Sequence, residues 1–345
     1  MRHVRLARPK APHSPVPTRR RPRALAAAAA TLAVAGLTAG CSGGSGGTAG
    51  ATGTITVAAI KGVDTAPLYA GIKPGGAFAR AGINVRIENY TSVAAEISAL
   101  RAGKVDVAAG DYVDFLYSES KASGLLIVAD GYHAAPGVME VLALPSSGIT
   151  SAQGLIGKRV GTPEPQEITQ FSPGKPYSLE SLAAQSVLND DNISPGRVHW
   201  DPMKPGSLVA ALQDHRVDAI VVQEPYIYQA ESVAGATEVF DACSGATSDL
   251  PLSGYFSTKA YASKNSPLLT AFRDQLEKAQ AEAAQPGPVR AVLASESGMQ
   301  GSASLMTIGS YPTTLNPASP TRVAQLMFNF EILGSTLNIP AMTFH

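Results

Sequence analysis

Two kinds of hydrophobic pattern alternate along the chain. Short apolar segments rich in β-branched residues predict strands, at residues 54–60, 82–89, 105–109, 125–129, 198–200, 217–222 and 237–240. Residues 152–162 predict a turn that leads into a short strand. Longer segments with helical spacing, two of them behind a capping Ser, predict helices, at residues 91–102, 178–189, 208–212, 266–285, 289–295 and 321–333. Strands that alternate with helices predict an α/β fold with mainly parallel sheets.

One unit of this pattern occurs twice. Residues 97–108 and 209–220 share Ala-Leu, a basic residue and Val-Asp at a constant offset of 112 residues, from Asp106 to Asp218. Each copy predicts the end of a helix, a tight turn and an apolar strand, and His215 stands in the second copy where the first has Gly103. Two copies indicate two similar α/β lobes with a cleft between them, in which a small molecule would bind.

Two apolar, extended segments, 138–144 and 254–258, are predicted to cross between the lobes. The first lobe would then consist of residues 54–137 and 256–345, and the second of residues 138–255. The two crossings would form a two-strand hinge.

The N-terminus has the pattern of an export signal. Residues 1–40 contain eight basic residues and no acid, followed by an apolar run from residue 24 to 37. Cys41 follows Ala39-Gly40, where bacterial lipoprotein processing attaches a lipid, although Thr38 occupies the usual Leu position. An ordinary secretory signal with an incidental Cys is the alternative. The Gly/Ser-rich residues 41–53 predict a flexible tether, so we expect a globule anchored by lipid at the outer face of the cell membrane.

The net charge of the chain becomes negative once the export signal is removed. The whole chain has 27 basic and 27 acidic residues, and losing the eight basic residues of the signal leaves 19 against 27, a net charge of −8. A negative surface argues against nucleic acid and anionic lipid as partners. With Cys41 acylated, Cys243 has no partner in the chain, so no disulfide is expected.

Ligands of open parallel sheets bind beyond the carboxyl ends of the strands, next to helix N-termini. That rule selects these candidate ligand-binding residues: Asp64, Thr65, Tyr90, Ser92, Asp111, Tyr112, His133, Thr162, Ser178, Glu224 and Tyr226.

Each candidate also has a purely structural interpretation. Ser92 and Ser178 are typical helix caps, and any single Tyr is more often packed than ligand-binding. Asp111 and Glu224 close the two repeated strands at nearly equivalent places, which favours them as cleft residues. Asp106 and Asp218, inside the repeat, are better explained as residues that start strands or hold turns.

Signatures of enzymes and cofactors are mostly absent from the sequence. There is no metal-ligand spacing, phosphate loop or dinucleotide fingerprint, and the six His residues are scattered. Cys243 lacks the His and Asn that a nucleophilic Cys needs. We therefore expect no catalytic residues, no metal and no cofactor.

Several ordered motifs resemble the nitrate/sulfonate/taurine/thiamine-precursor group of ABC-transporter substrate-binding proteins. They are the export signal with Cys41, the sequences at 66–69, 81–85, 99–106, 155–161 and 211–219, and Glu224-Pro225. The similarity spans about residues 55–333, and each motif is loose by itself. His215 and the long loop at 163–176 depart from the group.

The resemblance implies a type II periplasmic-binding-protein fold, in which two α/β lobes hinge shut on a small-molecule solute. It implies an ABC permease with its ATPase subunit as partners. It does not identify the ligand; the Tyr, Asp111 and Glu224 side chains favour a small polar or aromatic-ring organic with donor groups over a bare anion. A ligand-binding module of a sensor, or a pyrimidine-precursor enzyme on the same fold, remains an alternative.

Overall fold

A computed structural model of the protein describes residues 53–296 and 301–345. The predicted export signal, Cys41 and the tether up to residue 52 lie outside the described residues. No helix in the described ranges is long and apolar enough to cross a bilayer.

Within residues 53–296 and 301–345, ten strands form two five-stranded sheets. In chain order they are β1 (Thr54–Ala59), β2 (Asn84–Asn89), β3 (Val107–Asp111), β4 (Leu125–Asp130), β5 (Met139–Ala143), β6 (Arg159–Pro163), β7 (His199–Met203), β8 (Ala219–Gln223), β9 (Thr237–Asp241) and β10 (Ser253–Thr258). The first sheet has the order β2-β1-β3-β10-β4 and the second β7-β6-β8-β5-β9. We call each sheet with its packed helices the first and second lobe.

Helices cover the sheets of both lobes. They are α1 (Ala66–Gly71), α2 (Ala77–Ala81), α3 (Val93–Arg101), α4 (Tyr112–Lys121), α5 (Leu179–Asp190), α6 (Leu208–Gln213), α7 (Tyr226–Ala234), α8 (Lys259–Ala283), α9 (Pro286–Glu296) and α10 (Ala318–Asn329). Some strands are buried on both faces: β1 from residue 55, β3 up to residue 110 and β5 throughout. Burial on both faces is the expected property of strands packed between helix layers.

Each sheet contains one strand that arrives from the other lobe and runs antiparallel to its neighbours. Strand β5 pairs antiparallel with β8 and β9, and β10 pairs antiparallel with β3 and β4. The sheets are therefore mixed. The segments predicted as crossings, 138–144 and 254–258, are these strands, because their extended apolar residues hydrogen-bond into a sheet. The first sheet resumes at Ser253, three residues before the predicted boundary at 256.

The connections between the lobes are the segments 131–138 and 242–252. They run side by side: the Leu252 N–H donates to the Tyr132 carbonyl at 2.8 Å, and the Ala134 N–H donates to the Leu250 carbonyl at 2.9 Å. The lobes are thus joined by two adjacent stretches of backbone, but not by the segments 138–144 and 254–258 that were predicted to form the hinge.

The repeated unit occupies equivalent places in the two lobes. The Asp106 carboxylate accepts a hydrogen bond from the Thr56 N–H at 2.8 Å, and the Asp218 carboxylate accepts one from the Arg159 N–H at 2.8 Å. Each Asp therefore ties its own strand to the neighbouring strand, which is a scaffold role. Gly103 and His215 both have a left-handed backbone, with φ of 66° and 55°.

Candidate ligand-binding cleft

The carboxyl ends of the parallel strands of both sheets face a cavity of about 920 Å³. Its size lies in the range of small-molecule sites, about 300–1,000 Å³. Residues from both lobes line it, among them Ile60, Lys61, Asp64, Ser92, Glu96, Asp111, Asp114, Tyr132, Glu164, Gln166, Ser178, Glu180, Lys204, Gln223, Glu224, Tyr226 and Gln229. A molecule in this cavity would touch both lobes.

Six of the eleven predicted site residues line the cavity: Asp64, Ser92, Asp111, Ser178, Glu224 and Tyr226. Three of them also hold a helix end. The Ser92 hydroxyl accepts a hydrogen bond from the Ala95 N–H at 3.3 Å, and the Ser178 hydroxyl accepts one from the Ser181 N–H at 3.2 Å. The Asp111 carboxylate accepts one from the Asp114 N–H at 2.9 Å. These three residues therefore cap helices and line the cavity at the same time.

The other five predicted residues lie outside the lining of the cavity. The Thr65 hydroxyl donates to the Ile60 carbonyl at 2.7 Å and so closes the β1–α1 turn. Tyr112 is fully buried and donates to Asp130 at 2.9 Å. Thr162 is buried against the Tyr177 hydroxyl. Each hydroxyl has a local partner that holds it away from the cleft.

Tyr90 and His133 also lie elsewhere. The Tyr90 hydroxyl lies 3.5 Å from the Glu88 carboxylate at the end of the edge strand β2. His133 belongs to a connection between the lobes, where its ring nitrogens lie 3.0 Å from Asp130 and 3.3 Å from Asp249. Burial alone would lower the pKa of His133, but the hydrogen bonds and charges of Asp130 and Asp249 outweigh it and raise the pKa.

The first lobe brings four carboxyl groups to the cavity: Asp64, Glu96, Asp111 and Asp114. Burial raises the pKa of Asp64 and of Asp111 to about 6 each. Burial also raises the pKa of Asp114, whose carboxylate accepts the Glu167 N–H of the second lobe at 3.0 Å. Burial, followed by the charges of Asp64 and Asp111, raises the pKa of Glu96 to about 9. These acids therefore hold protons far more readily than they would in water.

The second lobe contributes Glu164, Glu180 and Glu224. Glu180 accepts a hydrogen bond from the Gln223 amide at 2.9 Å, and burial raises its pKa. Its charge acts across the cavity and raises the pKa of Asp111. Glu224 accepts the Tyr228 N–H at 3.1 Å with one oxygen and the Thr307 N–H at 3.2 Å with the other. Glu224, which precedes α7, thus links the first turn of that helix to the C-terminal part of the chain.

Sequence reasoning missed Glu96, Asp114 and Glu180. Glu96 lies on the same helical face as Val93, Ile97 and Leu100, so the spacing alone places a charged residue on a buried face. A charged residue at a position of the helix that the spacing predicts to be buried was the feature of the sequence that could have identified Glu96. Asp114 and Glu180 each fall in the first turn of a helix that begins at the cleft, where acids are common and uninformative.

The lining combines seven carboxyl residues with two lysines, Lys61 and Lys204, and contains no Arg, His or Cys among the described residues. In the described part of the chain, no three His, Cys, Asp or Glu side chains are grouped so as to hold a metal ion. Cys243 is buried outside the cavity, and burial raises its thiol pKa to about 12, so the thiol is not activated.

Two α/β lobes, joined by two crossings around a cavity, define the periplasmic-binding-protein fold. Residues 63–288 match the family model "NMT1/THI5 like". The chain belongs to that family, which confirms the resemblance seen in the sequence. No curated protein has significant sequence similarity to this chain.

Solved structures agree on the fold. The periplasmic aliphatic sulphonate binding protein SsuA from Escherichia coli is 14% identical, with a TM-score of 0.66 over 84% of this chain and 97% of its own. The periplasmic nitrate-binding protein NrtA from Synechocystis PCC 6803 is 13% identical, with a TM-score of 0.65 over 84% of each chain. The desulfurization enzyme DSZB is 15% identical, with a TM-score of 0.60 over 84% and 96%. At these identities the likeness concerns the fold alone.

Proposed function

We propose that the protein is the extracytoplasmic solute-binding component of an ABC importer. It traps a small organic solute between its lobes and delivers it to a permease driven by an ATPase subunit. The observation that carries the proposal is the cavity of about 920 Å³, which residues of both lobes line at the carboxyl ends of their strands. A solute that contacts both lobes favours the closed arrangement through its differential affinity.

Attachment to the membrane belongs to the same proposal. The export signal, a lipid on Cys41 and the tether at 41–53 would hold the two lobes near the permease. Without the signal the net charge is −8, so a basic surface patch would be an inadequate substitute for the lipid as the membrane anchor.

An enzyme on the same fold is the weaker candidate, although DSZB has this fold. Covalent catalysis would require an activated nucleophile, such as a Cys or Ser beside a His, to face the cavity. The lining offers no Cys or His within the described ranges, and Cys243 lies outside it with a raised pKa. Binding without chemistry agrees better with these side chains.

The test measures closure and stability together. Purified protein is titrated with alkanesulfonates, nitrate, taurine, aminopyrimidines and small amines, while small-angle scattering follows its radius of gyration. A true solute at a hundredfold excess over its Kd stabilises the protein by about 2.7 kcal/mol and makes it more compact. Stabilisation without compaction, or turnover of any compound, would contradict the transport proposal.

A further inference from the structure

Glu96 is the one carboxylate of the cleft, among the described residues, that is completely buried and has no hydrogen-bond partner for either oxygen. The backbone amide of Ile60 partly counteracts the rise in the pKa of Glu96. The geometry between this amide and the carboxyl group is nevertheless not that of a hydrogen bond. Buried polar atoms are nearly always satisfied, so an unsatisfied carboxyl group at a cavity wall offers a ligand a position to bind.

The surrounding backbone fixes this side chain against the cavity. Ser92 caps α3, which places Glu96 in its first turn beside the cleft. Gly110 of β3 lies against the same region: a Cβ there would contact Glu96 Oε2 at 3.4 Å but would lie only 2.7 Å from the Phe115 ring. A larger residue at 110 would collide with the aromatic core beside Glu96, so the glycine preserves the packing.

Neighbouring acids already use backbone donors. Asp111 accepts the Asp114 N–H, and Asp114 accepts the Glu167 N–H. Glu180 is bound by Gln223, and Glu224 by two backbone amides. These bonds hold the acids in place but leave their charge uncompensated. Glu96 is therefore the buried acid of this cavity whose two oxygens have no partner among the described residues.

A sulfonate or nitrate requires donors where this cleft has acceptors, and it would add negative charge beside buried carboxyls. A positively charged group with several N–H donors satisfies both the charge and the hydrogen-bond capacity. The absence of any three grouped ligand side chains in the described part of the chain makes a metal ion a poor fit for that role.

We propose that the solute is a small organic cation that carries N–H donors, such as an amine, amidine or guanidine, and that Glu96, with Asp64 and Asp111, binds its charged group. This inference rests on the proposed solute-binding function and names the chemical class of its ligand.

Proton release follows from this arrangement. The charged groups that act on Glu96 are Asp64 and Asp111, and Glu96 in turn raises the pKa of Tyr90. Asp114, Glu180 and Lys61 also line the cavity. Without solute, the pKa is about 9 for Glu96 and about 6 for Asp64 and Asp111. A bound cation favours the ionised carboxylates and lowers these pKa values. Binding should therefore release protons and tighten as the pH rises from 5 to 8.

The experiment is calorimetric titration of the purified protein with three cationic probes, agmatine, putrescine and benzamidine, beside butanesulfonate, nitrate and Zn²⁺. Buffers of different ionisation enthalpy report protons released. The variants are Glu96→Gln and, should it fold poorly, Asp64→Asn. The matched control is Glu119→Gln: Glu119 is a buried first-lobe carboxylate outside the cavity lining, and it accepts the Gly124 and Leu125 amides at 3.1 and 2.8 Å.

We expect at least one cationic probe to bind with proton release. Its affinity should fall about 10- to 100-fold in Glu96→Gln, as for loss of a charge-assisted hydrogen bond, and less than about threefold in Glu119→Gln. Binding of an anion instead would overturn the cation inference and leave the solute-binding proposal intact. Stronger binding of Zn²⁺, or unchanged cation affinity in Glu96→Gln, would overturn the inference as well.

Native mass spectrometry of freshly purified protein covers solutes that the probes do not represent. A co-purified cation whose retention requires Glu96 supports the inference, and a co-purified neutral or anionic molecule contradicts it. If no probe binds or compacts the protein and nothing co-purifies, the solute-binding proposal fails together with the inference.

Discussion

Replacement of Glu96 by Gln should stabilise the ligand-free protein, and more so as the pH rises. Burial first, and the charges of Asp64 and Asp111 second, raise the pKa of Glu96 from 4.5 to about 9. An acid with a higher pKa in the folded state holds its proton more tightly there than in the unfolded chain. Its contribution to stability is complete below pH 4.5 and is lost progressively as the pH rises toward 9.

The magnitude follows from the pKa difference, at about 1.4 kcal/mol per unit. At pH 7.5, about three units above the unfolded pKa of 4.5, the loss reaches about 4 kcal/mol as an upper bound. Gln keeps the shape of the protonated acid and does not titrate. We therefore expect the free energy of unfolding of Glu96→Gln to exceed that of the parent by about 2–3 kcal/mol at pH 7.5, and to match it near pH 5.

Urea unfolding at pH 5, 6.5 and 8 measures this difference directly. Glu119→Gln serves as the control, because both Glu119 oxygens accept backbone amides; that variant should lose about 1–3 kcal/mol. The reasoning about Glu96 is refuted if the stability difference between Glu96→Gln and the parent stays constant over this pH range, or if the variant is the less stable protein at pH 8.

Three further predictions concern other parts of the chain. His215→Gly should raise the free energy of unfolding by about 0.5–1 kcal/mol in thermal unfolding, because His215 has a left-handed backbone; no gain would contradict this, and Gly103→Ala, at the equivalent place, should lose stability. Cys41→Ser should move the full-length protein from the membrane fraction to the soluble extracytoplasmic fraction and abolish fatty-acid labelling, whereas retention in membranes would exclude the lipid anchor. His133→Gln should cost more stability at pH 5.5 than at pH 8.5, because the folded pKa of His133 is raised above 6.5 and its contribution is present below 6.5 and lost as the pH rises; equal losses at both pH values would contradict that sign.

The sequence was sufficient for the scaffold because hydrophobic periodicity and local hydrogen bonds decide it. The two copies of the Ala-Leu to Val-Asp unit predicted equivalent lobes, and Asp106 and Asp218 do make the same bond to a neighbouring strand. The sequence did not predict that β5 and β10 insert into a sheet. Whether an apolar extended segment connects two sheets or inserts into one depends on pairing with distant strands, which periodicity does not record.

Whether a predicted site residue lines the cavity depends on the direction of its side chain. Asp111 and Ser178 sit at helix starts that face the cleft, so the strand-end rule located them. Tyr112 and Thr162 also follow the rule by position, but the first turn of α4 and the side of β6 direct them into packed regions with Asp130 and Tyr177 as partners. A strand-end position identifies a place on the backbone and leaves the direction of the side chain undetermined.

Comparison of the two copies of the repeated unit distinguishes the position of Glu96. At the constant offset of 112 residues, Glu96, directly before the first copy, corresponds to Leu208, directly before the second. Both side chains are completely buried, and Leu208 belongs to the apolar cluster of its lobe. A buried leucine at this position contributes about 2 kcal/mol from apolar transfer, whereas a buried carboxyl without partners is costly. Packing alone would have favoured leucine in both lobes, so the retention of an acid at residue 96 supports the inference that Glu96 binds the solute.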